Sequence, residues 1–113
     1  MSNIYDYAYE LERSIRETAE YKRLKQAVQQ VKSDPNASRL FDGFKRLQIR
    51  LQEKSMRGEP ISRDETQQIQ QQMQIAQTNP LIAQLMMAEQ RLGALLNDVN
   101  KIMSKPLEEL YGK

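Results

Sequence analysis

The chain has 113 residues, with 17 Lys or Arg against 15 Asp or Glu, hydrophobic residues at 39%, and no Cys, His or Trp. That length sets one domain as the expectation, and a charged fraction of 28% is what a folded chain carries. The missing residue types exclude disulfides, thiolate or imidazole metal sites and every Ser–His or Cys–His nucleophile pair, while a net charge of +2 is too mild to argue for nucleic acid by bulk electrostatics.

Residues 2–32 carry apolar or semi-apolar side chains at Ile4, Ala8, Leu11, Ile15, Thr18, Tyr21, Leu24, Val28 and Val31. The steps are 4, 3, 4, 3, 3, 3, 4, 3, a helical period whose mean falls below 3.6, so the stripe drifts and its two halves face different partners or follow a bent path. The alternation Tyr5, Tyr7, Tyr9, Leu11 also fits a strand. Helix is preferred, because no second strand-like segment exists to pair its backbone. The tyrosines themselves read as half-buried packing with wet hydroxyls rather than a stacking platform.

Asp34-Pro35 and Asn79-Pro80 each set a capping side chain before a proline at the first helical position. Ser62-Arg63-Asp64-Glu65 is a capping box, and Gly58 a helix stop. These signals predict helices over 35–57, 63–78 and 80–104. The second helix shows Ala37, Leu40, Phe41, Phe44, Leu47, Gln48 and Leu51 along one seam. The third is weak, with Ile69, Met73 and Ala76 as its face and seven Gln between positions 67 and 77, read as a polar face that neighbours hold in place. The fourth is the strongest, stepping Leu81, Leu85, Ala88, Leu92, Leu95, Val99, Ile102, with Ile82, Met86, Leu96 and Met103 widening the face. Gly93 within it suggests close helix approach or a kink. Pro106 is expected to end it, leaving a short docking turn over 106–111.

The reading is therefore all-α: about four long antiparallel helices in an oligomeric helical bundle, forming a single helical domain over 1–113. A helix of some 30 residues is roughly 45 Å long, far beyond the ~13 Å radius of gyration of a compact chain of this size. Part of the first and fourth helices stays wet in a lone subunit, and a homodimer or larger homo-oligomer is expected to cover it. The candidate interface is Leu11, Ile15, Tyr21, Leu24, Leu85, Leu92, Leu95 and Val99. Other regulatory proteins are the next expected partners.

On the second helix, Arg46, Arg50, Lys54 and Arg57 align on the face opposite the Leu/Phe seam. The stripe has an alternative reading as an RNA-binding or RNA-processing accessory surface that tracks phosphates. A solvated face complementing the helix C-terminal dipole is preferred, since Glu53 interrupts the stripe and no aromatic platform adjoins it, so nucleic acid is not the expected partner. No catalytic, metal or cofactor site is expected: Asp64-Glu65 and Glu108-Glu109 are sequence neighbours that diverge on a helix, and the glycines never cluster into a phosphate loop. No run approaches the ~18 apolar residues of a membrane span. Asp6, Glu10 and Glu12 stand where a secretory leader needs a basic start and an apolar run, so the expected compartment is the cytoplasm.

The order Leu11, Ile15, Glu20-Tyr21, Ala27, Asp34-Pro35, Phe44, Gln48, Gly58, Asn79-Pro80, Glu89 and Leu92 resembles the YlbF/YmcA family of small bacterial helical proteins, and within it the YheA-like branch. The resemblance spans nearly the whole chain and rests on caps and core positions. It implies an all-α fold of long helices that oligomerises, in Gram-positive bacteria, and a non-enzymatic regulatory role of the kind better-studied members play in competence, sporulation, biofilm formation and ribonuclease Y-dependent RNA processing. Those members are associated with cysteine-ligated iron–sulfur clusters. With no Cys in this chain, cluster binding does not carry over. The leading expectation is a non-enzymatic adaptor or regulator that acts by protein–protein interaction.

Overall fold

Five α-helices make up almost all of the described residues, 3–112, of this computed structural model: α1 (Ile4–Glu17), α2 (Ala19–Ser33), α3 (Pro35–Arg57), α4 (Arg63–Thr78) and α5 (Pro80–Leu110). There is no strand among the described residues. The Tyr5–Leu11 alternation is helical.

The starts of α3, α4 and α5 follow from local chemistry legible in the chain. Asp34 Oδ2 accepts from the Ala37 N–H at 3.0 Å with Pro35 opening α3. Ser62 and Glu65 form the reciprocal box, Ser62 Oγ accepting from the Glu65 N–H and Glu65 Oε1 from the Ser62 N–H. Asn79 Oδ1 accepts from the N–H groups of Leu81 and Ile82 ahead of α5. Each satisfies donors that the first helical turn leaves without partners. Gly58, at φ +70°, closes α3 in the left-handed conformation that a side chain resists.

Two expectations are corrected. The helix expected over 2–32 is broken at Thr18, which is extended (φ −69°, ψ 153°). Its hydroxyl donates to the Ile15 carbonyl at 2.7 Å and accepts from the Tyr21 N–H at 3.1 Å, so one side chain closes α1 and opens α2. The drift in the apolar stripe is taken up by this break. Conversely, Pro106 does not end α5, which runs on to Leu110 and stops before Gly112 at φ +72°. Residues 101–112 are all exposed, so no packing opposes the adjustment that a proline ring at 106 asks of the Ile102 carbonyl. The 31-residue rod of the molecule is thus α5, about 46 Å long, and not the N-terminal segment. The short docking turn of 106–111 is instead the exposed end of α5.

The chain divides into two compact units, Ala27–Met86 forming one, and α1, the start of α2 to Gln26, and α5 from Met87 forming the other. The Ala27–Met86 unit holds the core. Ala27 and Val31 from α2, Ala37 and Leu47 from α3, Glu65 and Ala76 from α4, and Ile82 and Leu85 from α5 are its buried residues. In the other unit the only residue buried among those described is Ala88, and α1 buries none.

Two assigned faces also shift. On α4 the inward positions are Glu65, Ile69, Gln72, Ile75 and Ala76, while Met73 is exposed. On α3 Gln48 leaves the expected seam and is exposed. Gly93 makes no close approach to another helix of the chain, since a Cβ built there meets nothing within 4 Å. Thr18→Ala removes a hydroxyl that serves both helix ends and is expected to cost about 1 kcal/mol, lowering the melting temperature by a few degrees. Thermal denaturation followed by circular dichroism checks this, and an unchanged midpoint would contradict the role given to the side chain.

Candidate functional site

Within the Ala27–Met86 unit, α3 and α4 lie side by side and divide the four-residue basic stripe. Lys54 donates to Glu65 Oε1 in an ion pair whose acidic partner is 7% exposed at its side chain. The same oxygen accepts the Ser62 N–H at 2.9 Å. The hydrogen bond from Lys54, followed by the bonds from Ser62, holds the Glu65 carboxyl down at about 2. Its other oxygen, Oε2, is buried without a hydrogen-bond partner. Glu65 is therefore cap, counter-ion and core residue at once. Arg57 pairs with Glu59 at 3.3 Å on the surface.

Arg46 and Arg50 have a different setting. They line a cleft of about 450 Å³ together with Gln68, Gln71 and Gln72 of α4, over a floor that includes Leu47 and Ile75. Arg50 Nη1 reaches Gln68 Oε1 at 3.5 Å, and among the described residues neither guanidinium meets a carboxylate. The stripe expected from spacing is thus two cations committed to carboxylates and two left facing a cleft of carboxamides. The glutamines are not the uniform polar surface expected, since Gln72 is half-buried with Oε1 unpartnered. The signal for it lay in the spacing of Gln72 from Glu65, Ile69 and Ala76, at steps of 4, 3 and 4.

In the other unit, three of the proposed interface residues come together. Leu11, Ile15 and Tyr21 line a shallow apolar groove of about 350 Å³ with Ala8 and Met103, rimmed by the Glu12–Arg16 ion pair at 3.3 Å. The hydrogen bond that Arg16 donates to Glu12 holds its guanidinium above its ordinary value. Leu24, Leu92, Leu95 and Val99 are half-buried. Leu85 is 2% exposed, taken up by the chain's own core, and offers no surface. Tyr5, Tyr7 and Tyr9 are not half-buried as expected, being 71%, 63% and 63% exposed, because α1 buries no residue.

A family model described as control of competence regulator ComK, YlbF/YmcA, matches residues 4–108. The chain belongs to the YlbF/YmcA family. The resemblance read from its caps and core positions is borne out. It is 46% identical over 110 residues to the UPF0342 protein YheA of Bacillus subtilis, covering 97% of this chain and 94% of that one. A UPF0342 protein of Bacillus licheniformis is 47% identical over 110 residues, with the same shares covered. Among solved structures, this YlbF/YmcA chain matches a protein of unknown function (DUF964) from Bacillus stearothermophilus with a TM-score of 0.84 at 39% identity, covering 97% of this chain and 96% of that one. It matches yheA from Bacillus subtilis with a TM-score of 0.73 at 37% identity, covering 97% and 100%. Among the described residues, no helix is long and apolar enough to cross a membrane.

The Glu65 carboxyl gives this unit a defined acid limb. Its value falls from an ordinary 4.5 to about 2 on folding, so between those pH values the unfolded chain binds more protons than the folded one and stability drops as pH falls. Glu65→Gln is expected to flatten that limb. In urea titrations, the midpoint difference between the wild type and this variant is largest near neutral pH and shrinks toward pH about 2. A difference independent of pH would contradict the assignment.

Proposed function

We propose that this protein is a cytoplasmic homo-oligomeric adaptor that acts through protein surfaces and without catalysis, and that the unit built from α1, the start of α2 and α5 from Met87 is where copies meet. The observation that carries this reading is the mismatch between that unit's core and its surface. It buries only Ala88 among its described residues, yet it exposes eleven of the fifteen large hydrophobics that are exposed in the described chain, from Ile4, Tyr5 and Tyr7 in α1 to Ile102, Leu107 and Leu110 in α5. Monomeric soluble proteins rarely leave apolar side chains so concentrated on one unit, and closed symmetric assembly is the commonest means of covering them. The groove of Leu11, Ile15 and Tyr21 belongs to the same surface.

A regulatory role is supported by membership of a family described by its control of a competence regulator. It is also supported by a chain without Cys or His, which has neither a thiol nucleophile nor an imidazole base. Antiparallel packing of α3 and α4 in the Ala27–Met86 unit is supported by the register of their contacts: Arg50 with Gln68, and Lys54 with Glu65. The competing reading of a phosphate-tracking RNA surface is weakened because Lys54 and Arg57 are held by Glu65 and Glu59.

Sedimentation equilibrium at micromolar concentration is expected to return a multiple of 13.2 kDa. Ile102→Glu, at a site 61% exposed in the subunit, is expected to lower that mass while leaving helicity intact. Leu92→Asp, which puts a charge into a half-buried seam, is expected to disturb both folding and assembly. A single 13.2 kDa species for the wild type would overturn the proposal.

A further inference from the structure

The cleft between α3 and α4 has three properties that the adaptor reading does not use. Its volume of about 450 Å³ is that of a small-molecule site. Its cations are free: Lys45, Lys54 and Arg57 on the same helix each hold a carboxylate, whereas Arg46 and Arg50 hold none among the described residues, and no acidic side chain lines the cavity. The third is Gln72 Oε1, an acceptor withdrawn from water with nothing to accept from. A buried acceptor left unmet carries its desolvation cost, which an occupant that brings a donor recovers once the Gln72 carboxamide turns its oxygen to the cleft.

These features specify a ligand by its chemistry. Arg46 and Arg50 stand one helical turn apart on α3, so their planar forks enter the cleft from successive turns. Two such forks bracket a tetrahedral dianion with three terminal oxygens more fully than a planar carboxylate with two. Gln72 asks for an N–H or O–H on the organic part. Leu47 and Ile75 supply apolar surface, and Gly43 adds no side chain to fill the space. We propose that the cleft binds a small phosphomonoester whose organic part carries an N–H donor, the chemistry of a nucleoside monophosphate, with the phosphate on Arg46 and Arg50 and the N–H on Gln72 Oε1. A phosphodiester chain fits less well. The nearest cations on either side of this pair along α3, Lys45 and Lys54, are already neutralised, and no aromatic side chain lines the cleft for bases to stack on. The site lies wholly in the Ala27–Met86 unit, so it stands or falls apart from the oligomeric reading.

Isothermal titration calorimetry of the full chain with AMP, GMP, CMP and UMP in turn, beside inorganic phosphate and adenosine, tests this. At least one of the monophosphates is expected to bind, more tightly than inorganic phosphate, with adenosine silent. Arg46→Gln and Arg50→Gln are each expected to weaken it about tenfold or more, while Arg57→Gln leaves it unchanged. Gln72→Leu is expected to weaken the nucleotide and leave inorganic phosphate as it was. Arg46 and Arg50 are exposed, so their variants keep the wild-type circular dichroism spectrum and the comparison is one of binding alone. Silence from all the monophosphates would overturn the proposal, as would equal affinity for inorganic phosphate or indifference to the Arg46 and Arg50 substitutions. So would preferential binding of single-stranded RNA with affinity rising with length.

Discussion

Val31, Ile82 and Leu85, the largest side chains fully withdrawn from water, hold the Ala27–Met86 unit together, and the rest of the molecule is shaped by how little else is buried. The other buried apolar positions of that unit are Ala27, Ala37, Leu47 and Ala76, so the core is narrow and mostly small. Small residues allow close approach of helices but remove little apolar area from water apiece. A core of this kind is sufficient for one unit of a short chain, and it leaves the apolar residues of α1 and of α5 beyond Met87 without an internal place to go.

The Lys54–Glu65 pair shows how such a core uses charge. Burying a carboxylate is costly unless its oxygens are met. Glu65 meets that cost with one oxygen, Oε1, by taking both the Lys54 ammonium and the Ser62 N–H, and leaves Oε2 without a hydrogen bond. The return is positional. A capping box alone would start α4 anywhere on the surface of α3, whereas the ion pair ties that start to Lys54 and with it fixes which residues of α4 face inward. The apolar contribution of α4 is modest, Ile69, Ile75 and Ala76 against a run of glutamines, and a helix of 16 residues with that composition is held by its tertiary contacts more than by propensity.

Helix starts and stops were legible in the sequence wherever they are made by residues acting on their own backbone. Asp34, Ser62 with Glu65, Asn79 and Gly58 all act within a few positions of themselves, so reading the chain locally was enough. Thr18 gives no such local signal, because a threonine on an apolar stripe fits the helical period, and its break is made by hydroxyl bonds to both Ile15 and Tyr21. Pro106 is the opposite case, a strong local signal that its surroundings do not enforce. A proline costs most where packing forbids adjustment, and the end of α5 is exposed throughout. Gln72 rather than Met73 faces inward, which hydrophobic periodicity alone does not specify. The face of α4 is set by its pairing with α3, which brings one glutamine inward and turns a methionine out.

The candidate site shows the same limit of spacing as a guide. Arg46, Arg50, Lys54 and Arg57 repeat at helical intervals and look equivalent in the sequence, yet what each does is decided by a side chain elsewhere in the chain. Glu65 arrives opposite Lys54 because the box at Ser62 starts α4 there, and Glu59 reaches Arg57 from the loop after Gly58. Beyond Glu65 the polar side chains that α4 brings to the cleft are carboxamides, so Arg46 and Arg50 keep their charge unspent in a space with an unmet acceptor at its side. A continuous anion-tracking stripe and a pair of free guanidiniums in a cleft have one and the same sequence pattern. Two carboxylates contributed from the loop and from the first turn of α4 convert the first into the second, and so change the ligand that fits from an extended polyanion to a compact one.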